Sequence, residues 1–233
     1  RYSAQREADL FAQKITLHPD RVEFDAVSGS ERVHVMLRIP GAFTVYNALG
    51  VIQTAQALGL PLAQIAAALT TAEGVKGRAE VIPTPGKDYT VLCDYSHTPD
   101  SLENILNTVR GFCRGRVIAV FGCGGDRDLF KRPVMGEIAA RLADQTVVTS
   151  DNPRTEDPNE IIRQIVAGMG GAKTPPAVIE NRPMAIEWAM EHAGPGDVIV
   201  LCGKGHETYQ EIGHEKRHLD EREVVASYLE RTK

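Results

Sequence analysis

The 233-residue sequence lacks an excess of basic residues, since 31 Asp and Glu outnumber 26 Lys and Arg and give a formal net charge of −5. Nucleic-acid-binding proteins usually carry a basic surplus, so this balance excludes a general affinity for nucleic acid but leaves room for a local anion pocket. The sequence also lacks an apolar run of about 20 residues, the length of a membrane-spanning helix. Its polar start, Arg1–Glu7, contains no signal-peptide core. We therefore expect no nucleic-acid partner and no membrane partner.

Cysteine is scarce, and the four that occur do not form a C-x-x-C pair. Cys93 and Cys202 lie in apolar, strand-like runs, where a thiol behaves as a small hydrophobic group. The seven histidines are scattered without the spacing of a zinc site. We therefore predict reduced thiols, a cytoplasmic location and no metal site built by these residues.

Two further absences concern the start of the chain and its chemistry. The sequence has no initiator Met, so we expect it to be cut from a longer chain. It also lacks the phosphate-binding motif G-x-x-x-x-G-K-[ST]. If the protein uses ATP, the main phosphate-binding loop must therefore lie elsewhere.

A regular alternation of strand-like and helical segments begins at about Val81. Such alternation is typical of βαβ units and predicts an α/β fold with a mostly parallel sheet and helices on both faces. Asp157-Pro158 and Asp220 are typical helix starts. The predicted strands are Thr90–Asp94, Arg116–Phe121, Gln145–Thr149, Ala177–Ile179 and Asp197–Leu201, and the predicted helices are 99–112, 133–143, 158–168, 183–192 and 221–231.

The first 75 residues or so have a different pattern. Val33–Ile39 is β-branched and apolar enough to predict a strand, residues 45–58 have apolar side chains at helical spacing, and Pro61 opens a second helix that runs to about Thr71. These few elements do not bury a core alone, so we expect this region to be part of an incomplete domain.

Polar and glycine-rich segments follow each strand of the predicted parallel sheet. In an open parallel sheet, ligands bind beyond the carboxyl ends of the strands, so these segments predict a ligand site at one sheet edge. They are Asp94–Pro99, Gly122–Asp128, Ser150–Arg154, Asn181–Pro183 and Gly203–Glu207.

Each segment also has a simpler explanation. Gly122, Gly124 and Gly125 are typical of a tight turn, although glycines also let backbone N–H groups approach an anion. Asp151–Pro153 has ordinary turn chemistry, and His97 alone is more typical of a structural histidine at a helix start. Arg154 is harder to explain in this way, because a guanidinium at a strand end is suited to bind a carboxylate. The dense run of charge in Gly203–Glu207 likewise favours function.

Taken together and in order, these segments resemble those of the Mur ligases, and in particular the branch that adds the third residue of the peptidoglycan stem peptide. The resemblance covers essentially the whole chain. It rests on Pro40-Gly41 with Val45–Leu49, Gly77-Arg78, Asp94–Leu102, Phe121–Asp128, Lys131–Pro133, Thr149–Arg154, Gly203–Glu207 and Asp220–Glu223.

The resemblance implies a domain organisation and an activity. Residues 1–77 would be the end of a central α/β ATPase domain, and residues 78–233 a C-terminal Rossmann-like domain. The implied reaction is amide formation through an acyl phosphate, with ATP, Mg²⁺, meso-diaminopimelate and UDP-N-acetylmuramoyl-dipeptide as substrates and cofactors. The phosphate-binding loop and the UDP-sugar domain would lie outside this chain, so no catalytic residue is assigned to it and we expect it to be inactive alone.

The resemblance also implies roles for individual residues. Those expected to bind diaminopimelate are Arg127, Asp151, Asn152, Pro153, Arg154, Gly203 and Glu207, with Arg154 on the distal carboxylate and Glu207 facing an ammonium group. Those expected near the nucleotide are Asn47, Arg78, Asp94, His97 and Lys131.

Three alternatives compete with this interpretation. A Rossmann-like sheet also suits an NAD-dependent dehydrogenase, but Gly122–Gly125 is not G-x-G-x-x-G and follows the second strand. A ligase fold reused as a non-catalytic nucleotide-binding module is the second, and the intact Asp151–Arg154 motif argues against it. A ligase for L-lysine is the third and is the closest in chemistry.

Overall fold

The computed structural model describes residues 1–232, which divide into a unit formed by Arg1–Gly74 and a unit that begins at Val75. In the first unit, one sheet has the order β1-β2-β3-β4, and β1 pairs in parallel with β2 while the other neighbours are antiparallel. The elements of this unit are β1 Tyr2–Ser3, β2 Leu10–Leu17, β3 Val22–Ser28, β4 Glu31–Leu37, α1 Ala42–Ala57 and α2 Leu62–Thr70.

The expectation that this region cannot bury a core is wrong. Leu10 and Phe24 from the sheet and Leu49 and Ile52 from α1 are completely buried in one apolar cluster. The strands β2 and β3 were not predicted from the sequence. In β3 the inward residues alternate with Glu23 and Asp25, and in β2 the register shifts between Gln13 and Thr16, around Lys14 with its positive φ of 53°, which interrupts the period of two.

The second unit contains a six-stranded sheet of order β5-β6-β10-β7-β8-β9, in which only β5 is antiparallel. This confirms the predicted α/β fold with a mostly parallel sheet. Its strands are β5 Glu80–Ile82, β6 Thr90–Asp94, β7 Val117–Phe121, β8 Gln145–Val148, β9 Ala177–Val178 and β10 Val198–Cys202, and a separate hairpin is formed by β11 Tyr209–Ile212 and β12 Glu215–His218.

Helices cover the sheet because its central strands are apolar along their whole length. Every residue of β7 and β10 is buried, as expected for parallel strands packed on both faces. The helices are α3 Pro99–Arg110, α4 Lys131–Leu142, α5 Pro158–Ala167, α6 Arg182–His192 and α7 Glu221–Arg231. Ile186 of α6 and Val225 of α7 share an apolar cluster with Ile118 and Ile199 of the strands.

The helix starts that the sequence predicted are confirmed at two positions. The side chain of Asp157 accepts a hydrogen bond from the backbone N–H of Asn159, and that of Asp220 from the N–H of Arg222. Within the described residues, no helix is long and apolar enough to cross a membrane.

Candidate ligand-binding cleft

A cleft of about 590 Å³ lies at the carboxyl ends of β6, β7, β8 and β10. This is the edge at which the sequence predicted a ligand site. Residues from all four strand-end loops line it, including Arg127, Asp151, Asn152, Arg154, Gly203, Glu207, His97 and Lys131. Pro153, Arg78 and Asp94 do not line it, and Asn47 is an exposed residue of α1 in the first unit.

The glycines after β7 allow two loops to pack in direct contact. A Cβ atom on Gly122 would lie 2.2 Å from the carbonyl oxygen of Thr149, and one on Gly125 would lie 2.0 Å from that of Pro153. The N–H of Gly125 also donates to the carbonyl of Asn152 over 2.9 Å. From the sequence alone, a tight turn or the approach of an anion would explain these glycines. The structure gives a third reason, which is that they bring the Arg127 loop against the Asp151–Arg154 loop.

Arg154 is held from both its backbone and its side chain. Its φ of 50° lies in the left-handed region, which is unusual for a residue with a side chain and persists only where the surroundings fix it. Its Nε lies 2.8 Å from Oε2 of Glu211, and its Nη1 donates to the carbonyl of Gly125 over 2.8 Å. The side chain is 22% exposed, so its charge is partly removed from water.

A buried lysine, Lys204, connects Asn152 and Glu207, two further residues of the predicted site. The side chain of Lys204 is completely buried, and its Nζ lies 2.7 Å from Oδ1 of Asn152 and 3.0 Å from Oε2 of Glu207. The amide nitrogen of Asn152 donates to the same Glu207 oxygen over 3.0 Å. These contacts balance the buried charge and fix the Asn152 amide. Within residues 1–232, Oε1 of Glu207 accepts no hydrogen bond, so one carboxylate oxygen stays available.

Lys204 was not among the predicted site residues. The available signal was the close spacing of Lys204, His206 and Glu207 after a buried strand. That signal identified the loop but not which of its side chains points into the protein.

Within the described residues, one carboxylate oxygen of Asp151 is buried without a hydrogen-bond donor. Its Oδ1 accepts the N–H of Asn152 over 2.8 Å, whereas its Oδ2 is buried and accepts no hydrogen bond within the described residues. The nearest cation is Arg182, whose Nη1 lies 3.9 Å away. A Cβ on Gly203 would come within 2.6 Å of Oδ2, which explains a glycine at that position.

Arg182 is a buried cation next to Asp151 and the end of β10. It is fully buried and forms an ion pair of 2.8 Å with Glu221, which is also fully buried, and it donates to the carbonyl of Cys202 over 2.7 Å. Burial alone would lower the pKa of Arg182, but the carboxylates of Glu221 and Asp151 raise it. The guanidinium therefore remains charged beneath the strand ends.

Two of the residues predicted to lie near a nucleotide, Arg78 and His97, lie next to Tyr95, together with His206, which was not predicted. The ring of His97 lies 4.7 Å from the Tyr95 ring, the ring of His206 lies 5.0 Å away, and the guanidinium carbon of Arg78 lies 5.3 Å from its centre. The Nζ of Lys131 donates to the carbonyl of His97 over 2.8 Å.

Asp94 differs from this group because its carboxylate already accepts hydrogen bonds from neighbouring residues of the protein. It is buried and accepts hydrogen bonds from the backbone N–H groups of Ala79 and Ser96 and from the Ser96 hydroxyl. In this structure its side chain therefore holds the loop that carries Tyr95 and His97.

The described residues contain no cluster of three or more His, Cys, Asp or Glu side chains that could hold a metal ion. Cys123, which follows Gly122 at the cleft, is buried, and burial raises the pKa of its thiol to about 12. This thiol is therefore neutral near pH 7 and is not an activated nucleophile.

The second unit is thus an α/β domain with a cleft at its strand ends that is lined by both cationic and carboxylate side chains. A model of the Mur ligase glutamate ligase domain matches residues 77–205, more than half of the chain. The chain belongs to the Mur ligase family. This membership contradicts the dehydrogenase alternative.

Individual members of this family are similar to the chain over almost its whole length. The chain is 45% identical over 229 residues to the UDP-N-acetylmuramoyl-L-alanyl-D-glutamate--2,6-diaminopimelate ligase of Clostridium botulinum, covering 98% of this chain and 47% of the relative. It is 47% identical over 223 residues to the protein of the same name in Synechococcus elongatus, covering 95% of this chain and 44% of the relative. The chain therefore spans about half the length of the curated relatives it matches.

Solved structures agree with the fold. A structure of a UDP-N-acetylmuramoyl-L-alanyl-D-glutamate--2,6-diaminopimelate ligase is 34% identical with a TM-score of 0.82, covering 99% of this chain and 47% of that chain. The UDP-N-acetylmuramate-alanine ligase of Thermotoga maritima has a TM-score of 0.63 at 21% identity, covering 99% of this chain and 47% of that one. At this identity the second likeness concerns the fold alone.

Proposed function

We propose that this chain is the C-terminal part of a longer, cytoplasmic, ATP-dependent ligase that joins meso-2,6-diaminopimelate to UDP-N-acetylmuramoyl-L-alanyl-D-glutamate in peptidoglycan synthesis. Residues 1–77 would be the end of its central ATPase domain and residues 78–233 its C-terminal domain. The observation that carries the proposal is the guanidinium of Arg154, held in one cleft with Arg127 and Glu207.

The proposed reaction forms an amide bond in two steps. The γ-phosphoryl group of ATP is transferred to the γ-carboxylate of D-Glu, and the free amine of diaminopimelate then attacks the acyl phosphate and releases phosphate. Holding the two reacting groups together converts a bimolecular step into an effectively intramolecular one. The task assigned to this chain is to bind the amino acid and to orient its attacking nitrogen.

The cleft offers complementary groups to an amino acid with two ammonium and two carboxylate groups. Arg154 would bind the distal carboxylate, with Arg127 as a second cation in the same cleft. The free oxygen of Glu207 would accept a hydrogen bond from an ammonium group, and the Asp151 carboxylate would add negative charge at the cleft. A volume of about 590 Å³ lies within the range of roughly 300–1,000 Å³ found for small-molecule sites.

The same geometry accounts for the proposed preference over L-lysine. Lysine has no distal carboxylate, so its binding would leave the partly buried Arg154 guanidinium without its ligand partner. A site built around a polar group rejects the analogue that lacks the matching group by roughly 10⁴- to 10⁵-fold.

The nucleotide would lie near Arg78, His97 and Lys131 of the second unit. Asp94 would act there by holding the Tyr95 loop through its backbone hydrogen bonds. Mg²⁺ would neutralise phosphate charge when bound. The described residues form no cluster of metal ligands, so we assign no magnesium ligand to this chain and derive no step through the ion.

The proposal is tested by measuring ADP release from the full-length protein that contains this chain, with UDP-N-acetylmuramoyl-L-alanyl-D-glutamate, ATP and either meso-diaminopimelate or L-lysine. We expect kcat/KM for diaminopimelate to exceed that for lysine by at least roughly 10³-fold. Equal use of the two amino acids, or no release with either, would overturn the proposal. Calorimetry of this chain alone should show weak binding of diaminopimelate and none of lysine.

A further inference from the structure

The hairpin formed by β11 and β12 lies beyond residues 77–205, the segment that matches the general model of the domain. Its first strand, β11, and the turn residue Gly213 nevertheless contact the Asp151–Arg154 loop. Gln210 Nε2 donates to the carbonyl of Asp151 over 2.6 Å, and the N–H of Glu211 donates to Oδ1 of Asn152 over 2.9 Å. The hairpin therefore fixes the loop that carries the proposed specificity residue.

The hairpin forms hydrogen bonds with both the backbone N–H and the backbone carbonyl of Arg154. The N–H of Arg154 donates to the carbonyl of Glu211 over 3.1 Å, and the N–H of Gly213 donates to the carbonyl of Arg154 over 2.7 Å. These bonds account for the persistence of a left-handed φ at a non-glycine residue. They also place the Glu211 side chain beside the guanidinium.

The contacts of the guanidinium are divided between its two neighbours. Glu211 Oε2 lies against Nε, and the carbonyl of Gly125 accepts from Nη1. A Cβ on Gly124 would lie only 2.9 Å from Nη1, so the glycine loop leaves room for this placement. Within residues 1–232, Nη2 has no hydrogen-bond acceptor. Because a guanidinium has five N–H donors, the remaining ones can bind a ligand without displacing Glu211.

The charge of Glu211 is balanced from a second side. The Nζ of Lys216, on β12, lies 3.6 Å from Oε1 of Glu211. The Glu211 carboxylate is thus held between two cations, and its own side chain is 24% exposed. This arrangement restrains the carboxylate at the position where it meets Arg154.

We propose that Glu211 is a positioning residue that sets the specificity of the cleft by holding Arg154 with its Nη2 edge free for the distal carboxylate of the amino-acid substrate. The proposal rests on the proposed function, since that function supplies the carboxylate. Without Glu211 the arginine side chain must be immobilised when the ligand binds, and this ordering lowers affinity about three- to tenfold. The opposite role, a carboxylate that competes with the substrate for Arg154, predicts tighter binding when Glu211 is removed.

The test measures steady-state kinetics of the full-length protein carrying Glu211→Ala or Glu211→Gln. We expect Glu211→Ala to raise the KM for diaminopimelate about three- to tenfold, while kcat and the KM for ATP change less than about twofold. Glu211→Gln keeps a neutral acceptor and should give a smaller increase, and it replaces the alanine variant if that variant does not fold. The residual activity with L-lysine should not change, so the preference for diaminopimelate falls by the same factor.

A double-mutant cycle separates positioning from a general structural role. In an Arg154→Ala background, Glu211→Ala should raise the KM for diaminopimelate no further, because its effect is exerted through the guanidinium. Glu215→Ala and Glu215→Gln are matched controls, since Glu215 is an exposed carboxylate on the same hairpin that contacts only Arg217, at 3.5 Å, within the described residues.

Three results would overturn the inference: a lower KM in Glu211→Ala, kinetics equal to those of the Glu215 variants, or additive effects in the cycle. Each of these is distinct from failure of the proposed function, which appears as a wild-type protein that does not use diaminopimelate. The wild-type measurement is therefore made first.

Discussion

Two groups of side chains at the strand ends differ in how firmly the chain holds them. In the Arg154 group, which comprises Asn152, Arg154, Lys204, Glu207 and Glu211, every side chain forms a hydrogen bond or an ion pair with another member or with a neighbouring loop. In the Tyr95 group, which comprises Arg78, Tyr95, His97 and His206, ring and cation contacts at 4.7 to 5.3 Å predominate, and all but Tyr95 are exposed.

The difference indicates which part of the proposed site is complete within this chain. Preorganised groups bind a ligand without the cost of ordering their side chains. The side chains of the Arg154 group are preorganised by hydrogen bonds and ion pairs internal to the second unit, whereas those of the Tyr95 group have fewer such contacts, although the backbone of the Tyr95 loop is held by Asp94 and Lys131. We therefore expect substitutions in the Arg154 group to have the larger effects on the KM for the amino acid and on the free energy of unfolding.

The largest expected effect concerns Arg154 itself. Arg154→Ala removes one partner of a mostly desolvated charge pair, so we expect the KM for diaminopimelate in the full-length protein to rise about 10²-fold or more. The KM for ATP should change little. Arg163→Ala is a suitable control, because Arg163 is an exposed arginine that pairs with Glu160 on α5. An unchanged KM for diaminopimelate in Arg154→Ala would refute its role.

Lys204 should have the next largest effect, on stability. Lys204→Met keeps the apolar stem but leaves the buried oxygens of Asn152 and Glu207 without their cation, which should lower the free energy of unfolding by about 3 kcal/mol. Urea denaturation of the chain measures this change.

Lys173→Met is the matched control for that measurement. Lys173 is exposed and lies 3.3 Å from Asp144, so its removal should cost less than about 1 kcal/mol. Equal losses in the two variants would mean that the Lys204 contacts do not stabilise the Arg154 group more than a surface pair does.

The sequence predicted the parallel sheet because strands such as β7 and β10 are continuously apolar and alternate with helices whose starts are marked by Pro158 or Asp220. It did not predict β5, which is only three residues long, or β12, in which all four residues are exposed. Neither strand has an apolar pattern that would distinguish it from a loop.

The candidate site, too, was predicted only in part. The strand-end rule and the family resemblance identified Asn152, Arg154 and Glu207, which the cleft brings together. Lys204 and Glu211 were not identified, because their importance depends on contacts with residues more than 50 positions away. No local pattern encodes such contacts, and the roles of all these residues in ligand binding remain predictions.

A smaller effect is expected from the Tyr95 group. His97→Ala removes a ring contact and a hydrogen bond to the Tyr95 carbonyl, and aromatic contacts contribute about 0.5–1.5 kcal/mol. We expect the KM for ATP to rise about threefold, with less than a twofold change in the KM for diaminopimelate. A larger effect on diaminopimelate than on ATP would contradict the division between the two groups.

The smallest expected effect is a dependence of stability on pH at the edge of the Arg154 group. Both oxygens of Glu156 lie 2.8 Å from the guanidinium of the completely buried Arg132. Glu156 also accepts the N–H of Asp126 over 2.5 Å, which ties the Arg127 loop to the segment after Arg154. Hydrogen bonds from Arg132 lower the pKa of Glu156 below its ordinary value of roughly 4.3, despite an opposing effect of burial.

A carboxylate with a lowered pKa in the folded state stabilises the protein above its ordinary pKa, and this stabilisation is lost as the pH falls through the folded-state value. The difference in unfolding free energy between wild type and Glu156→Gln should therefore be constant from pH 7 to about 6 and should shrink below roughly pH 4.3. Urea denaturation at pH 7, 5, 4 and 3 measures it.

Because Glu160 also has a lowered pKa, of about 2, and pairs mainly with Arg163, Glu160→Gln serves as the exposed control. A difference for Glu156→Gln that stays the same down to pH 3 would mean that the ion pair with Arg132 does not stabilise this loop, and the firm hold on the Arg154 group would then rest on the hairpin and Lys204 alone.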